Sequence, residues 1–488
     1  MEDVKKNPQE QPQEINRKLI VSVLLVSAFV AILNQTLLNT ALPNIMSDLN
    51  ITANTAQWLM TGFMLVNGVM IPVTAFLIGK FTTRRLFFIA MGLFTAGTLI
   101  AFIAPSFPVL LIGRLVQAGG AGIMMPLMQT VFLMIFPVEK RGTVMGIAGL
   151  VIAFGPAIGP TLSGYLVEHY SWRSPFLVVL PIAVLSILFG VFALKNVTKQ
   201  TNPTIDILSI LLSTLGFGGL LYGLSDAGND GWDSPQVYIS VIIGAIALFL
   251  FIWRQFRLET PILEFRVFKY GIFAIASTTT MIVMMAMLGA ELLLPIYMQN
   301  MRGFTAFESG LLLLPGAIVM GIMSPITGRI FDKFGARWLA MIGLTIVAVT
   351  TYQFTNLTAD TAYSSILIIY AIRMMGIAMV MMPVSTAGLN QLPKRLIPHG
   401  TAMNNTMRTI AGSMGTAMLV TVMTNTSKNF DPDMSKYAGE SSAQVKQQVM
   451  SDAMIHGINM AFLVATGIAI AGIILSFFLK RTDPNLDD

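Results

Sequence analysis

The sequence predicts an all-helical, polytopic membrane protein: two six-helix halves with two further helices inserted between them, about fourteen transmembrane helices in all. Three observations lead there. Of 488 residues, 55% are hydrophobic and 11% charged, with a mean hydropathy of +0.72; a soluble domain carries roughly 25% charged residues. Apolar runs of about 18 residues or more, long enough to cross a bilayer, recur along nearly the whole chain. The chain also aligns with itself when one half is slid over the other.

In order, the spans fall near residues 18–39, 56–79, 85–105, 108–136, 142–166, 173–194, 206–225, 237–254, 271–300, 308–330, 338–356, 363–391, 400–425 and 455–480. Residues 1–16 are polar and rich in Pro and Gln, without the charged-then-apolar pattern of a cleaved signal peptide, and read as a disordered cytoplasmic tail. Residues 17–195 form the first bundle, 196–265 carry the two inserted helices, and 266–482 form the second bundle. A short tail covers 483–488. Between spans 13 and 14, residues 426–453 hold seven charges and are expected as a long polar loop outside the cell.

Charge sets the orientation. With both termini cytoplasmic, 22 of the 30 lysines and arginines lie inside and five outside, while Arg114, Arg373 and Arg408 lie within spans. That bias obeys the positive-inside rule, and one missed helix would invert every later connection.

Span 5, RGTVMGIAGLVIAFGPAIGPTLSGYL over 141–166, carries six glycines and two prolines. Gly and Pro are the poorest helix formers in water, whereas in a bilayer small residues let helices approach closely. The segment reads either as an ordinary packing helix or as a bendable, moving seam.

The repeat is visible residue by residue. A shift of 253 lays Pro72 on Pro325, Thr74 on Thr327, Lys80 on Lys333 and Arg84 on Arg337. Slips to 257 and 258 then align Gly119 with Gly376 and Gly142-Thr-Val-Met with Gly400-Thr-Ala-Met. A duplicated six-helix unit with nested inverted triplets is one of the known transporter architectures.

Composition excludes several functions. The chain has no cysteine, so disulfides and thiolate metal sites are ruled out. His169, His399 and His456 are scattered, and no metal cluster is expected. The basic residues are spread over short connections, which argues against a nucleic-acid partner, and no Gly-x-x-x-x-Gly-Lys-Ser/Thr loop supports ATP-driven transport. No nucleophile–base pair recurs in the spans, so the chain is not read as an enzyme.

An ordered set of motifs carries a resemblance: LNQTLLNTALP (33–43), GRLVQAGGAG (113–122), GPAIGPTLSG (155–164), SWRSPFLVVLPI (171–182) and GRIFDKFGAR (328–337). Over residues 17–482 the chain resembles the major facilitator superfamily, in its fourteen-helix drug:proton antiporter group near the lincomycin-resistance-type exporters. The resemblance makes Gly155, Pro156, Gly159, Pro160 and Gly164 an antiporter motif, which argues for export. It also implies a gate motif between spans 2 and 3 of each half. The second copy is whole: Gly328, Asp332, Lys333, Gly335 and Arg337. In the first copy Ala75, Gly79, Lys80, Thr82 and Arg84 stand in those places, without the acid and both defining glycines. The implied role is a latch in which the aspartate accepts from an arginine and caps helix ends across the seam. Only the second copy can form it, so the gate is either asymmetric or the first loop is a plain basic, orienting one.

The family tends to place an acid in span 1, where this chain has Asn34. The clear carboxylate inside a span is Glu291. A charge at a helix centre costs on the order of 2.5–3.5 kcal/mol, so it must face protein or water and find a partner. Proton coupling and a static packing pair both fit it. In the resembled architecture spans 1, 4, 9 and 12 line a central cavity. They carry Asn34 and Gln35, Arg114 and Gln117, Glu291, and Arg373. At 1.5 Å per residue, Glu291, Arg114 and Arg373 lie roughly 8–16 Å from the outer edge, and the arginines are candidate switch partners. Arg114 could equally be a tie to backbone carbonyls. Arg408 is expected to snorkel or cap. Met284 and Met287 share a face with Glu291; thioethers suit varied apolar shapes and also serve as core filler.

The expected function is therefore proton-coupled export of small amphiphilic drugs or toxic compounds across a bacterial cell membrane. The proton gradient supplies the energy, and no cofactor is needed. Export of one physiological metabolite, or a receptor without transport on the same fold, are the alternatives.

Overall fold

A backbone in hydrocarbon must satisfy its own N–H and C=O groups, and every described span does so as a helix. The structure, a computed structural model, describes residues 16–38, 41–198, 200–201, 203–204, 206–432 and 442–480. The expected tails, apart from residue 16, and residues 433–441 of the expected outer loop lie outside the described residues.

The first half contains α1 (Arg17–Leu37), α2 (Leu42–Leu49), α3 (Ala53–Lys80), α4 (Thr83–Phe102), α5 (Phe107–Ile135), α6 (Val138–His169) and α7 (Ser174–Ala193). The insertion is α8 (Ile207–Asp230) and α9 (Pro235–Arg257). The second half contains α10 (Gly271–Ile296), α11 (Ala306–Phe334), α12 (Ala336–Gln353), α13 (Tyr363–Leu389), α14 (Ile397–Lys428) and α15 (Ser442–Ser476). Thus α1 and α3–α15 are the fourteen expected spans. Thirteen described helices are long and apolar enough to cross a membrane. The remaining span, α14, has the length but is polar, because it buries Thr401, Asn404, Asn405, Thr406 and Arg408 inside the protein rather than facing lipid.

Two boundaries depart from the sequence reading. The short helix α2 was not anticipated; it occupies one turn-rich stretch of eight residues with Pro43 in its first turn. The polar segment 442–453 is not loop but the first turns of α15. A charged segment can remain helical once it leaves lipid, so polarity located the membrane boundary and not the helix end.

Local chemistry sets the helix ends. Thr52, Thr82 and Thr305 cap α3, α4 and α11 by accepting from the backbone N–H groups of Thr55, Arg85 and Glu308 at 3.2–3.3 Å. Gly335 joins α11 to α12 with φ at 80°, which a side chain would strain. Its counterpart in the first half, Thr82, has φ at −63° and needs no glycine. The loss of glycine there is thus matched by a different turn.

The duplicated crossing is also visible. A Cβ on Gly113 would stand 3.0 Å from the carbonyl oxygen of Gly97, and one on Gly376 would stand 2.7 Å from that of Gly343. The α4–α5 and α12–α13 pairs therefore share one close-packed geometry. In the insertion α8 packs on α9 and lies against both α3 and α14. α9 turns Ile239, Ile242, Ile246 and Phe249 outward, the expected face toward lipid. One apolar core runs continuously from Ile20 to Leu479 through both halves.

Candidate functional site

α10 breaks its regular hydrogen bonding close to its only carboxylate. Pro295 lacks the N–H that would bond to the carbonyl of Glu291, and the helix then passes into a π-turn over Tyr297–Met301. Such turns inside helices are frequent at functional sites. The Glu291 side chain is partly buried. Arg373, on α13, is the guanidinium whose charge acts on it, and Tyr370 is the third member of this electrostatic group.

Arg373 is fully buried, yet it is not within ion-pair distance of Glu291. Its Nε donates to Thr351 Oγ1 on α12 (3.1 Å) and its Nη2 to the backbone carbonyl of Ala286 on α10 (2.5 Å). Its Nη1 has no hydrogen-bond partner among the described residues. A buried charged donor left unmatched is costly, and this one belongs to the arginine nearest in charge to the free carboxylate.

Arg114, on α5, is differently placed. Its Nη1 donates to Asn34 Oδ1 (2.5 Å) and Gln117 Oε1 (2.7 Å), its Nε to the carbonyl of Leu59 (3.5 Å), and its guanidinium lies 4.2 Å from the Phe63 ring centre. Gln117 in turn donates to Thr98 Oγ1 at 2.7 Å. The structure therefore brings Glu291 to Arg373, not to Arg114, whose donors are engaged inside the first half. Asn34 and Gln117, expected to line the cavity, are buried as the acceptors of Arg114. Gln35 and Met284 are partly exposed, while Met287 is buried.

The halves are tied at the end of the bundle that carries Arg84, Arg85, Lys140, Arg141, Lys394 and Arg395, here the basic end. Asp332, at the close of α11, accepts from the backbone N–H groups of Gly142 and Thr143 (both 2.8 Å) and from Thr143 Oγ1 (2.5 Å) on α6. Arg141 donates to Asn390 (2.9 Å), Asn405 to Gln129 (2.7 Å), and the Thr130 and Thr401 hydroxyls meet at 2.8 Å. Asp332 thus reaches across the seam to backbone amides of α6, the helix-capping part of the implied latch. The reason is room, since Gly142 and Gly328 let α6 and α11 approach until their backbones touch.

Among the described residues, the first copy of the gate loop makes no such contact with the other half. Gly79 accepts through its carbonyl from Thr201 N–H (3.0 Å), Arg84 N–H donates to Asn196 (3.2 Å), and Thr83 meets Thr198 (2.9 Å). It is bound to the segment after α7, beside a cavity of about 520 Å³ lined by Thr201, Glu259, Arg266, Lys269 and His399.

The glycine motif of α6 also divides differently from expectation. Gly155 and Gly159 pack on Ile32 and Thr36 of α1, within their own half. The glycines facing the other half are Gly142, Gly146 and Gly149, which meet Gly328, Phe331 and Ser324 of α11. Gly164 touches nothing within 4 Å of where its Cβ would be, Pro156 is partly buried, and the side chain of Pro160 lies outside the described ones. Pattern alone could not distinguish an inner face from a seam.

Sequence reasoning assigned no partner to Trp172 and Arg173. Both donate to Asp48 of α2, at 2.8 and 3.2 Å, and Arg173 also reaches the carbonyl of Ala104 (2.9 Å). These bonds hold the Asp48 carboxyl below the usual carboxylate range. They fasten the α6–α7 turn to α2 at the end opposite the basic one.

The Major Facilitator Superfamily model matches residues 24–416. Among known proteins, the chain is 55% identical to an uncharacterized MFS-type transporter, YcnB, of Bacillus subtilis (strain 168), over 97% of this chain and 98% of that one. It is 45% identical to the lincomycin resistance protein LmrB of the same organism, covering 95% of each. Among solved structures, the human organic anion transporter MFSD10 superposes with a TM-score of 0.66 at 12% identity, over 96% of this chain and all of that one. That last likeness is one of fold.

Proposed function

The chain belongs to the Major Facilitator Superfamily and is a multi-pass membrane transporter rather than an enzyme, and on that premise we propose that it is a proton-coupled antiporter. It exports amphiphilic drugs and toxic compounds across the cytoplasmic membrane by alternating access. The drug class is supported by the name of one relative, the lincomycin resistance protein of Bacillus subtilis. The basic end faces the cytoplasm by the charge rule, so the cross-half bonds of Asp332, Arg141 and Gln129 close the cytoplasmic side.

The observation that carries the coupling is the Glu291–Arg373 relationship: a partly accessible carboxylate beside a buried guanidinium that keeps one donor atom without a partner. Glu291 takes a proton while the cavity faces outside. Closure of that side brings Arg373 Nη1 onto the carboxylate, and the proton leaves toward the cytoplasm. A substrate entering the same region displaces the arginine and completes the exchange. The membrane potential adds about 2.3 kcal/mol per charge per 100 mV.

Proton release on substrate addition, measured with purified protein in weakly buffered detergent, tests this. Wild type releases protons, and Glu291→Gln, which keeps the shape without the charge, does not. Equal release by both would remove Glu291 from the coupling step.

A further inference from the structure

Arg408 is expected from sequence to snorkel or cap, but the structure buries it to 6% exposure. Among the described residues its Nε and Nη1 have no hydrogen-bond partner. Gln129 on α5 is fully buried; its oxygen accepts from Asn405, and its Nε2 likewise has no partner. Three donor atoms from two helices, one in each half, thus lack acceptors.

Their position is fixed by helical spacing. Thr401, Asn405, Arg408 and Gly412 fall at i, i+4, i+7 and i+11, one stripe of α14. The lower members touch α5 through Thr130 and Gln129. The upper member meets α10, where a Cβ on Gly412 would stand 2.5 Å from Leu288 and 3.7 Å from Met284. Arg408 therefore lies on the interior stripe between the contacts to α5 and to α10. Leu288 is three residues before Glu291, so the carboxylate and Arg408 are separated in depth by about 10 Å on the same interior.

We propose that Arg408 and Gln129 form an oxygen-acceptor subsite that takes a carbonyl or carboxylate oxygen of the exported amphiphile. This rests on the export reading above and deepens it. A leftover donor on a buried guanidinium demands an acceptor with partial or full negative charge. The ion pairs among the described residues do not include Arg408. A molecule carrying a cation near Glu291 and a carbonyl about 10 Å further toward the cytoplasm would match both ends.

The test compares two fluorescent cations that differ by one ester: tetramethylrhodamine methyl ester and tetramethylrosamine. Their binding to the purified full chain is read by fluorescence anisotropy. Wild type binds the ester about tenfold more tightly, the worth of one hydrogen bond to a charged group. Arg408→Met shrinks that ratio to between about one and three while the rosamine Kd stays within about twofold, Gln129→Met shrinks the ratio likewise whatever the change in closure does to both dyes, and Arg408→Lys restores part of it. A wild-type ratio of one overturns the subsite. So does an unchanged ratio in both variants, or equal loss of both dyes in both, which would mark a structural role. Gln129→Met, a neutral exchange, carries the test if Arg408→Met fails to fold. If wild type bound neither dye, the export reading would fall and take the subsite with it; every other failure strikes the subsite alone.

Discussion

Gly142 and Gly328 meet backbone to backbone across the seam between the two halves: a Cβ on Gly328 would stand 2.3 Å from the carbonyl oxygen of Gly142. No side chain fits there without separating α6 from α11. Overpacking of this kind costs about 1–3 kcal/mol. Gly328→Ala is expected to shift the protein toward the state open at the cytoplasmic side. A cysteine replacing Ser324, which is buried against Gly149 in a chain that has no cysteine, reports the shift: maleimide labelling should quicken at least about fivefold. Unchanged labelling would mean that the seam absorbs a methyl group and is not the closing surface.

Asp332→Asn removes the charge that gathers two amides and a hydroxyl from α6. Hydrogen bonds to a charged group contribute about 1.5–3 kcal/mol. Turnover should fall at least about threefold while KM stays within about twofold, because the site of the change is remote from Glu291. A large rise in KM with normal turnover would place Asp332 in substrate binding instead.

Asp206 accepts from Arg254 Nε and Nη2 (2.8 and 3.1 Å) and from Ser209, tying the start of α8 to the end of α9. The guanidinium lowers its pKa from 3.8 to about 2. A depressed folded value means the stabilisation is complete above about pH 4 and is lost as pH falls toward 2. Asp206→Asn should lower Tm at pH 7, and the gap from wild type should close as pH drops from 4 to 2. A gap that stays constant would show that the charge is not what joins the two helices.

The topology is open to a direct check. Gln447 is exposed on the first turns of α15, and a cysteine there is expected to react with an impermeant maleimide in intact cells. Reaction only after permeabilisation would invert the orientation.

Much of this architecture was legible in the sequence because it depends on short-range properties. Apolar length located the spans, the lysine and arginine bias alternated the connections, and Glu291 stood out as a carboxylate within an apolar run. What remained hidden depends on partners far along the chain. Asp48 caps Trp172 and Arg173 from 124 and 125 residues away. Gly155 and Gly142 lie on one glycine-rich helix but face different neighbours, a distinction that spacing does not encode. The burial of Arg408 was missed because its place near a helix end suggested snorkelling or capping. The run on α14 of Thr401, Asn404, Asn405 and Thr406, all buried, is the signal that could have shown a helix enclosed by protein.

The two flanks of the seam are built from different materials. On one flank α6 meets α11 through the close backbones of Gly142 and Gly328, with Phe331, Ser324, Phe154 and the Asp332 carboxylate around them. On the other, α8 stands between α3 and α14: Tyr222 stacks on Trp58 with ring centres 5.9 Å apart, and Trp232 donates to Thr421 at 2.6 Å. The second flank is a hinge post and the first is the free edge of a door. Under the alternating-access reading proposed above, the glycine margin is expected to part further than the margin held by the inserted helices. Paired spin labels would register that asymmetry as a larger distance change between α6 and α11 than between α3 and α14.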